Sequence, residues 1–295
     1  MFVATLIASP RGDGLPPDAP RAAAKILGAD ASADWLDPGF ACDLFLDAEP
    51  GPEARATLAA LAADGRFDAV VQERAGRRKR LLLADMDSTM IEQECIDELA
   101  AELGLKEAVA AITARAMNGE IAFEPALRER VALLKDLPID TIDRVIETRI
   151  THASGGAALV ATMSAAGARC ALVSGGFTLF TGPVAAALGF HENRANTLLS
   201  ENGLLIGRVA EPILGAEAKV EALLDISAGL GLTPADAIAV GDGANDLPMI
   251  LKAGTGIALH AKPAVAAKAP HRIDHGDLTA LLFVQGYKRD AFAAG

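Results

Sequence analysis

Leu81, Leu82, Leu83 and Ala84 run without alternation straight into Asp85 and Asp87, and this juncture constrains the fold more than any other part of the chain. A short apolar run with no polar face is what a strand covered on both sides inside a parallel sheet requires. The two acids then lie at the carboxyl end of that strand, the edge of an open α/β sheet where ligands bind. Two later stretches repeat the pattern. Cys170, Ala171, Leu172 and Val173 lead into Ser174-Gly175-Gly176, and Ile238, Ala239 and Val240 lead into Gly241-Asp242-Gly243-Ala244-Asn245-Asp246. The expected fold class is therefore α/β, with a Rossmann-like parallel sheet core whose strand ends bring acids, a hydroxyl with glycines, and acids again to one edge.

Each juncture has a plain reading beside the chemical one. Asp85 and Asp87 followed by Ser88 and Thr89 suit a capped turn, since short side-chain oxygens hold loops and start helices. Ser-Gly-Gly suits a glycine turn, although unobstructed backbone N–H groups there can also face a phosphate. Lys219, near the start of a helical stretch, reads alone as an exposed helix lysine. Taken together, oxygen-rich carboxylates converging on one edge suit a hard cation, and Mg²⁺ in particular shares its shell with a substrate phosphate.

Residues 1–76 read as a separate small α+β unit, and 77–295 as the main one. Strand patterns cover 3–8, 40–46 and 67–72, and helical patterns cover 18–27 and 53–63. The βαββαβ order is partly visible, which suggests a ferredoxin-like module. Arg77, Arg78, Lys79 and Arg80 precede the first buried strand. They lie roughly 15 Å from the acids at about 3.3 Å per residue, and read as a solvated linker. From 91 to 152 the pattern turns helical, with Ile96, Leu99, Leu103, Leu127, Val131 and Leu134 at helical spacing and Gly104, Gly119 and Pro138 as punctuation. Asn202-Gly203 inside 195–209 marks a β-hairpin.

A surplus of 39 acidic over 27 basic residues, a formal charge of −12, argues against nonspecific binding to nucleic acid or an anionic membrane. An anionic substrate needs a local site. No apolar run approaches the roughly 18 residues of a membrane span, and MFVATLIASPRGDG has no basic segment ahead of its apolar residues, so it reads as a first strand and not a signal peptide. Cys42, Cys95 and Cys170 are too widely spaced for a disulfide framework or a zinc site, which suits a reducing cytoplasm. His152, His191, His260, His271 and His275 lack metal-ligand spacing.

DMDST directly after a buried strand, SGG after the second, Lys219 ahead of the third, and GDGANDLPM closing it resemble the motifs of the haloacid dehalogenase superfamily of phosphohydrolases, from Leu81 to the C-terminal region. The resemblance implies that the helical segment at about 92–155 is an inserted cap closing over the site. It implies that Asp85 is the nucleophile, forming an aspartyl-phosphate, and that Asp87 is the general acid and then base. Mg²⁺ would be held by the carboxylates of Asp85 and Asp242 and the backbone carbonyl of Asp87, with Asp246 steadying that site. Ser174, Gly175, Lys219 and Asn245 would hold phosphate. Glu94 would receive a substrate ammonium, Arg130 a carboxylate, and Met117 and Phe123 would line the pocket.

The substrate so implied is a small phosphorylated amino acid, O-phospho-L-serine, hydrolysed to serine and phosphate in the closing step of phosphorylated serine biosynthesis. The N-terminal plan is shared by ACT-type amino-acid-binding domains, which leaves room for an amino-acid effector there, and a homodimer stays open. Three other readings also stand. One is a phosphatase or phosphotransferase for another small phosphomonoester. Another is a phospho-acceptor signalling domain, against which Asp87 and the large cap argue. The last is an amino-acid-binding regulator built on the N-terminal module.

Overall fold

In the computed structural model the described residues are 1–295 without Ala31, Asn118 and Gly119; the side chains of Ala116 and Met117 also lie outside them. Gly119 as helix punctuation and Met117 as a pocket wall therefore fall outside the described residues. The chain opens with β1 (Phe2–Ala8), α1 (Ala19–Leu27), β2 (Asp34–Asp37), β3 (Ala41–Leu46), α2 (Pro52–Gly65) and β4 (Phe67–Glu73). These strands form an antiparallel sheet in the order β2-β3-β1-β4, the split βαβ arrangement of a ferredoxin-like unit. Strand β2 has no counterpart in the sequence pattern. Its four residues, DWLD, do not alternate, and its register shifts between Trp35 and Asp37.

The second sheet is built on β5 (Leu81–Ala84), each residue of which is fully buried. The chain then runs through α3 (Cys95–Glu102), α4 (Lys106–Met117), α5 (Phe123–Ala132), α6 (Asp140–Arg149) and α7 (Gly156–Ala165). Next come β6 (Arg169–Phe177), α8 (Thr178–Leu188), β7 (Glu192–Asn196), the hairpin β8 (Leu198–Glu201) and β9 (Leu204–Val209), and α9 (Ala216–Gly229). The remainder is β10 (Ala237–Gly241), α10 (Leu247–Lys252), β11 (Thr255–Leu259), α11 (Pro263–Ala266), β12 (His271–Ile273) and α12 (Ala280–Val284). Six strands pair in parallel in the order β12-β11-β10-β5-β6-β7. Leu82, Ala84, Leu172 and Val240 pack with α7, α8 and α12, whereas Leu81, Leu83, Val173 and Ala239 pack with α9 and α10. Burial on both faces accounts for the unbroken apolar runs. Ala84 is in register with Val240 on one side and Leu172 on the other, so the three polar clusters emerge side by side.

Helices α3 to α6 form the inserted cap, with Ile96, Leu99, Leu127, Val131 and Leu134 inside its core. Leu103, read as part of the same stripe, instead lies exposed at the C-cap of α3. The two cap linkers pair with each other. Ile91 bridges His152, Glu92 N–H donates to Thr151 O (2.9 Å), and Ala153 N–H donates to Met90 O (3.0 Å). The hairpin turns at Asn202-Gly203, both at positive φ, and its Leu205 exchanges hydrogen bonds with Asp136 (2.8 Å) and Leu137 (2.9 Å) at the foot of the cap.

The basic run is solvated only in part, at Arg78 and Arg80. Arg77 Nη2 lies 2.7 Å from Oδ2 of the fully buried Asp43, Arg78 stacks at 4.1 Å over the Tyr287 ring, and Lys79 Nζ donates to Ala235 O at 2.8 Å. These partners come from distant parts of the chain, which is why the local pattern suggested solvent. At the start of β4, the end away from this run, the buried Asp68 carboxylate accepts N–H groups from Asp274 (2.7 Å), His275 (3.2 Å) and Gly276 (2.6 Å), an anion nested by consecutive amides. The same loop holds the cap's return linker, through Ser154 Oγ to Asp277 Oδ2 (2.6 Å) and Leu278 N–H to Ser154 O (3.1 Å). Removing one member of a buried pair typically costs about 3–5 kcal/mol. Arg77→Ala should lower the unfolding free energy in urea by about 3 kcal/mol, and Arg77→Met with Asp43→Asn should recover part of it. An unchanged midpoint in Arg77→Ala would mean that the pair contributes no net stability.

Among the described residues no helix is long and apolar enough to cross a membrane. Cys42, Cys95 and Cys170 are free and buried.

Candidate active site

Strand β5 continues its ladder one residue past its end, where Asp85 N–H donates to Val240 O at 3.0 Å. Met86 is fully buried, so Asp85 and Asp87 flank a residue anchored in the core. Asp85 Oδ1 lies 2.6 Å from Lys219 Nζ, which lies 2.5 Å from Asp246 Oδ1. Lys219, in the first turns of α9, is only 1% exposed, which overturns its plain reading as a surface lysine. Burial opposes its charge, yet Asp246 and Asp85 outweigh that and raise its pKa, so the ammonium is firmly held. The second oxygen of Asp246 accepts Gly243 N–H at 2.9 Å.

Carboxylate oxygens of Asp85, Asp242 and Asp246 lie within 4.8 Å of one another, all on buried residues. Burial first, and Asp246 next, push Asp242 up to about 6 and Asp85 well above the usual carboxylate range, with Lys219 opposing both. Such shifts mark a cluster short of positive charge. The donors are all oxygen, as a hard divalent cation prefers. Both oxygens of Asp246 are already engaged, by Lys219 and Gly243, which leaves Asp85 and Asp242 as the better direct ligands. The residues present thus fit Mg²⁺.

Asp87 Oδ1 accepts Cys95 N–H at 2.9 Å, and Ser174 Oγ lies 3.4 Å from Oδ2. Burial raises the Asp87 pKa, with the Cys95 hydrogen bond opposing. Ser174 Oγ in turn accepts Gly176 N–H at 2.8 Å. The approach is close enough to demand glycine, since a Cβ at Gly176 would stand 2.7 Å from Asp87 Oδ2 and one at Gly241 2.3 Å from Asp246 Cγ.

The cap meets this floor through Phe123, the first residue of α5. A Cβ on Gly175 would lie 3.4 Å from Phe123 Cζ and 3.8 Å from Asn245 Nδ2, so the ring and the amide border the same glycine. Glu94 N-caps α3 and accepts Ser88 Oγ at 2.8 Å. Although Glu94 reaches solvent, the protein around its carboxylate pushes it up to about 7, Asp87 adding and Ser88 opposing. Arg130 is half-buried, its guanidinium donating to Ala126 O (3.3 Å) and Thr113 Oγ1 (3.4 Å). Burial lowers its pKa, while the negative charges of Asp97, Glu94 and Asp87 oppose that.

Asp85, Asp87, Ser174, Lys219, Asp242, Asn245 and Asp246 are thus gathered at the strand ends, with Gly175, Phe123 and Glu94 around them, while Arg130 lies within the cap, its guanidinium on Ala126 O and Thr113 Oγ1. One residue with a clear part went unread. Asn196, 2% exposed, donates from Nδ2 to Gly175 O (2.9 Å) and Leu214 O (3.1 Å) and accepts Leu214 N–H (2.7 Å). It ties the Ser174-Gly175 turn to the segment leading into α9, and only its polarity at the end of a strand could have hinted at this. The assembly sets one carboxylate beside a fixed ammonium and near a second acid, with N–H and hydroxyl groups of the kind that suit an oxyanion.

Residues 82–251 match the haloacid dehalogenase-like hydrolase family. The chain is 46% identical over 208 residues to a phosphoserine phosphatase of a Polaromonas species, covering 69% of this chain and 88% of that one. Its fold is similar to that of a haloacid dehalogenase family hydrolase from Salmonella enterica serovar Typhi, with a TM-score of 0.85 and 31% identity over 98% of this chain and 99% of that one. It is also similar to a phosphoserine phosphatase solved as an analogue of its phospho-aspartyl intermediate, with a TM-score of 0.65 and 42% identity over 70% of this chain and 98% of that one.

Proposed function

The chain belongs to the haloacid dehalogenase-like hydrolases, and from that premise we propose that it hydrolyses O-phospho-L-serine to L-serine and phosphate through an aspartyl-phosphate on Asp85. The observation that supports this reading is the buried Asp85–Lys219–Asp246 group beside a cap that carries one acid, Glu94, and one base, Arg130, whose charges interact with each other and with Asp87. Phosphoserine carries an ammonium and a carboxylate on one carbon, and these two residues complement them.

Asp85 attacks phosphorus as the serine oxygen leaves, and Asp87 gives that oxygen its proton. The same carboxylate then takes a proton from the water that attacks the aspartyl-phosphate, which frees phosphate and restores Asp85. Lys219, Ser174, Gly175 N–H and Asn245 hold the phosphoryl oxygens while charge shifts among them. The carboxylates of Asp85 and Asp242 and the Asp87 carbonyl would hold Mg²⁺, which would supply the remaining positive charge that a phosphate dianion needs to approach these acids. The reading places the enzyme at the close of phosphorylated serine biosynthesis, and its free cysteines suit a reducing cytoplasm.

The test is kcat/KM for phosphoserine, phosphoethanolamine and an amine-free phosphomonoester, with and without Mg²⁺. Charge-assisted hydrogen bonds of roughly 1.5–3 kcal/mol correspond to about tenfold to a hundredfold. Arg130→Ala should lower the phosphoserine value by that factor and spare phosphoethanolamine, which lacks the carboxylate. Glu94→Gln should penalise both amines and spare the third substrate. Equal losses on all three would remove the basis for phosphoserine as the substrate.

A further inference from the structure

Within the turn from Asp85 to Thr89, Ser88 alone has a positive φ, +54°, a conformation that a serine holds only when its surroundings over-determine it. Its neighbours close the turn on one acceptor, since Thr89, Met90 and Ile91 N–H all lie 2.9–3.2 Å from Met86 O. Ser88 faces elsewhere. Its N–H donates to Gln93 O at 3.2 Å and its Oγ donates to Glu94 Oε1 at 2.8 Å. Gln93 is fixed in turn to the cap's return linker, its Oε1 accepting Thr151 N–H at 2.8 Å.

We propose that Ser88 is a positioning residue for amine recognition: its hydroxyl occupies Glu94 Oε1, and so presents Oε2 to the substrate ammonium at a fixed distance from Asp85. This rests on the phosphoserine reading. A glutamate side chain that reaches solvent has several rotamers to sample, and a hydrogen bond from a rigid turn selects one before substrate arrives. Because Ser88 is joined to Asp87 by a single peptide bond, the amine site and the reacting centre are held by one short segment. The left-handed backbone at Ser88 is what turns its hydroxyl to Glu94 while Asp87 still faces Ser174.

Ser88→Ala and Ser88→Gly both delete the hydroxyl, and glycine also relieves the left-handed backbone. In the full-length chain each should raise KM for phosphoserine and phosphoethanolamine about three- to tenfold, the net worth of one such hydrogen bond. Each should leave kcat/KM for the amine-free phosphomonoester within about twofold, as expected of a group that acts on the amine alone. In a Glu94→Gln background, Ser88→Ala should bring no further loss on the amine substrates, the non-additivity of residues that act as a unit. Equal losses on all three substrates, additive losses with Glu94→Gln, or a loss in Ser88→Ala that Ser88→Gly lacks would each overturn the inference. Glu94→Gln alone keeps the two levels apart. If it spares the amines, the phosphoserine reading and this inference fall together; if it penalises them and the Ser88 variants do not, only this inference falls.

Discussion

Asp85→Asn should lower kcat for the proposed substrate, phosphoserine, by about 10⁴-fold or more and should leave a folded protein. The amide keeps the shape of the carboxylate but has no negative oxygen to attack phosphorus, and it is a poorer partner for a divalent cation. Folding survives for a reason visible in the charges. Burial and Asp246 raise the Asp85 pKa while Lys219 opposes them, so an amide there removes repulsion from Asp246, and Lys219 keeps its pairing with Asp246. The checks are a rapid acid quench for acyl-phosphate and binding of beryllofluoride, which mimics the aspartyl-phosphate. The wild type should give both signals and the variant neither. Turnover near the wild-type rate in a preparation free of deamidated protein would remove Asp85 from the nucleophile's role.

Lys219→Met is expected to fail in activity and in stability together. Its ammonium lies between Asp85 and Asp246, 2.6 and 2.5 Å from their oxygens, and is 1% exposed. Methionine fills the space but leaves two buried carboxylates facing each other, and breaking such a group costs about 3–5 kcal/mol. The rate should fall by about 10³-fold or more, because the phosphoryl oxygens lose a preorganised cation in a site closed to water. Urea denaturation with and without Mg²⁺ separates the two effects. Mg²⁺ should restore part of the stability, as should Asp246→Asn in the same chain, and neither should restore the rate. A Lys219→Met protein that stays both stable and active would mean that the lysine serves neither part.

Burial on both faces of a sheet leaves a local mark, and so β5, the start of β6 and β10 were legible as unbroken apolar runs, with the acids and glycines of the site at their ends. Nothing local distinguishes Lys219 from a surface lysine, because its burial depends on Asp85 and Asp246, which join it only through the register of β5 with β10. The same holds for Arg77, whose partner Asp43 is an isolated acid in the pattern of β3. Glu94 stands at the N-cap of α3 and Arg130 in the last turn of α5, both ordinary places for a charged residue, and only a resemblance could single them out. Asn196 escaped because one side chain clamps two segments far apart in sequence.

The amide nest around Asp68 changes what can be learned by cutting this chain. The family match begins only at residue 82, which invites deletion of the antiparallel sheet in search of a sensor. In this protein that deletion also strips the acceptor from three consecutive N–H groups in the loop that holds Ser154 at the base of the cap. The sheet is an abutment as well as a module. A shortened enzyme with altered KM would report first on a foundation withdrawn from the pivot, and Asp68→Asn in the intact chain is the control that separates lost footing from a lost effector.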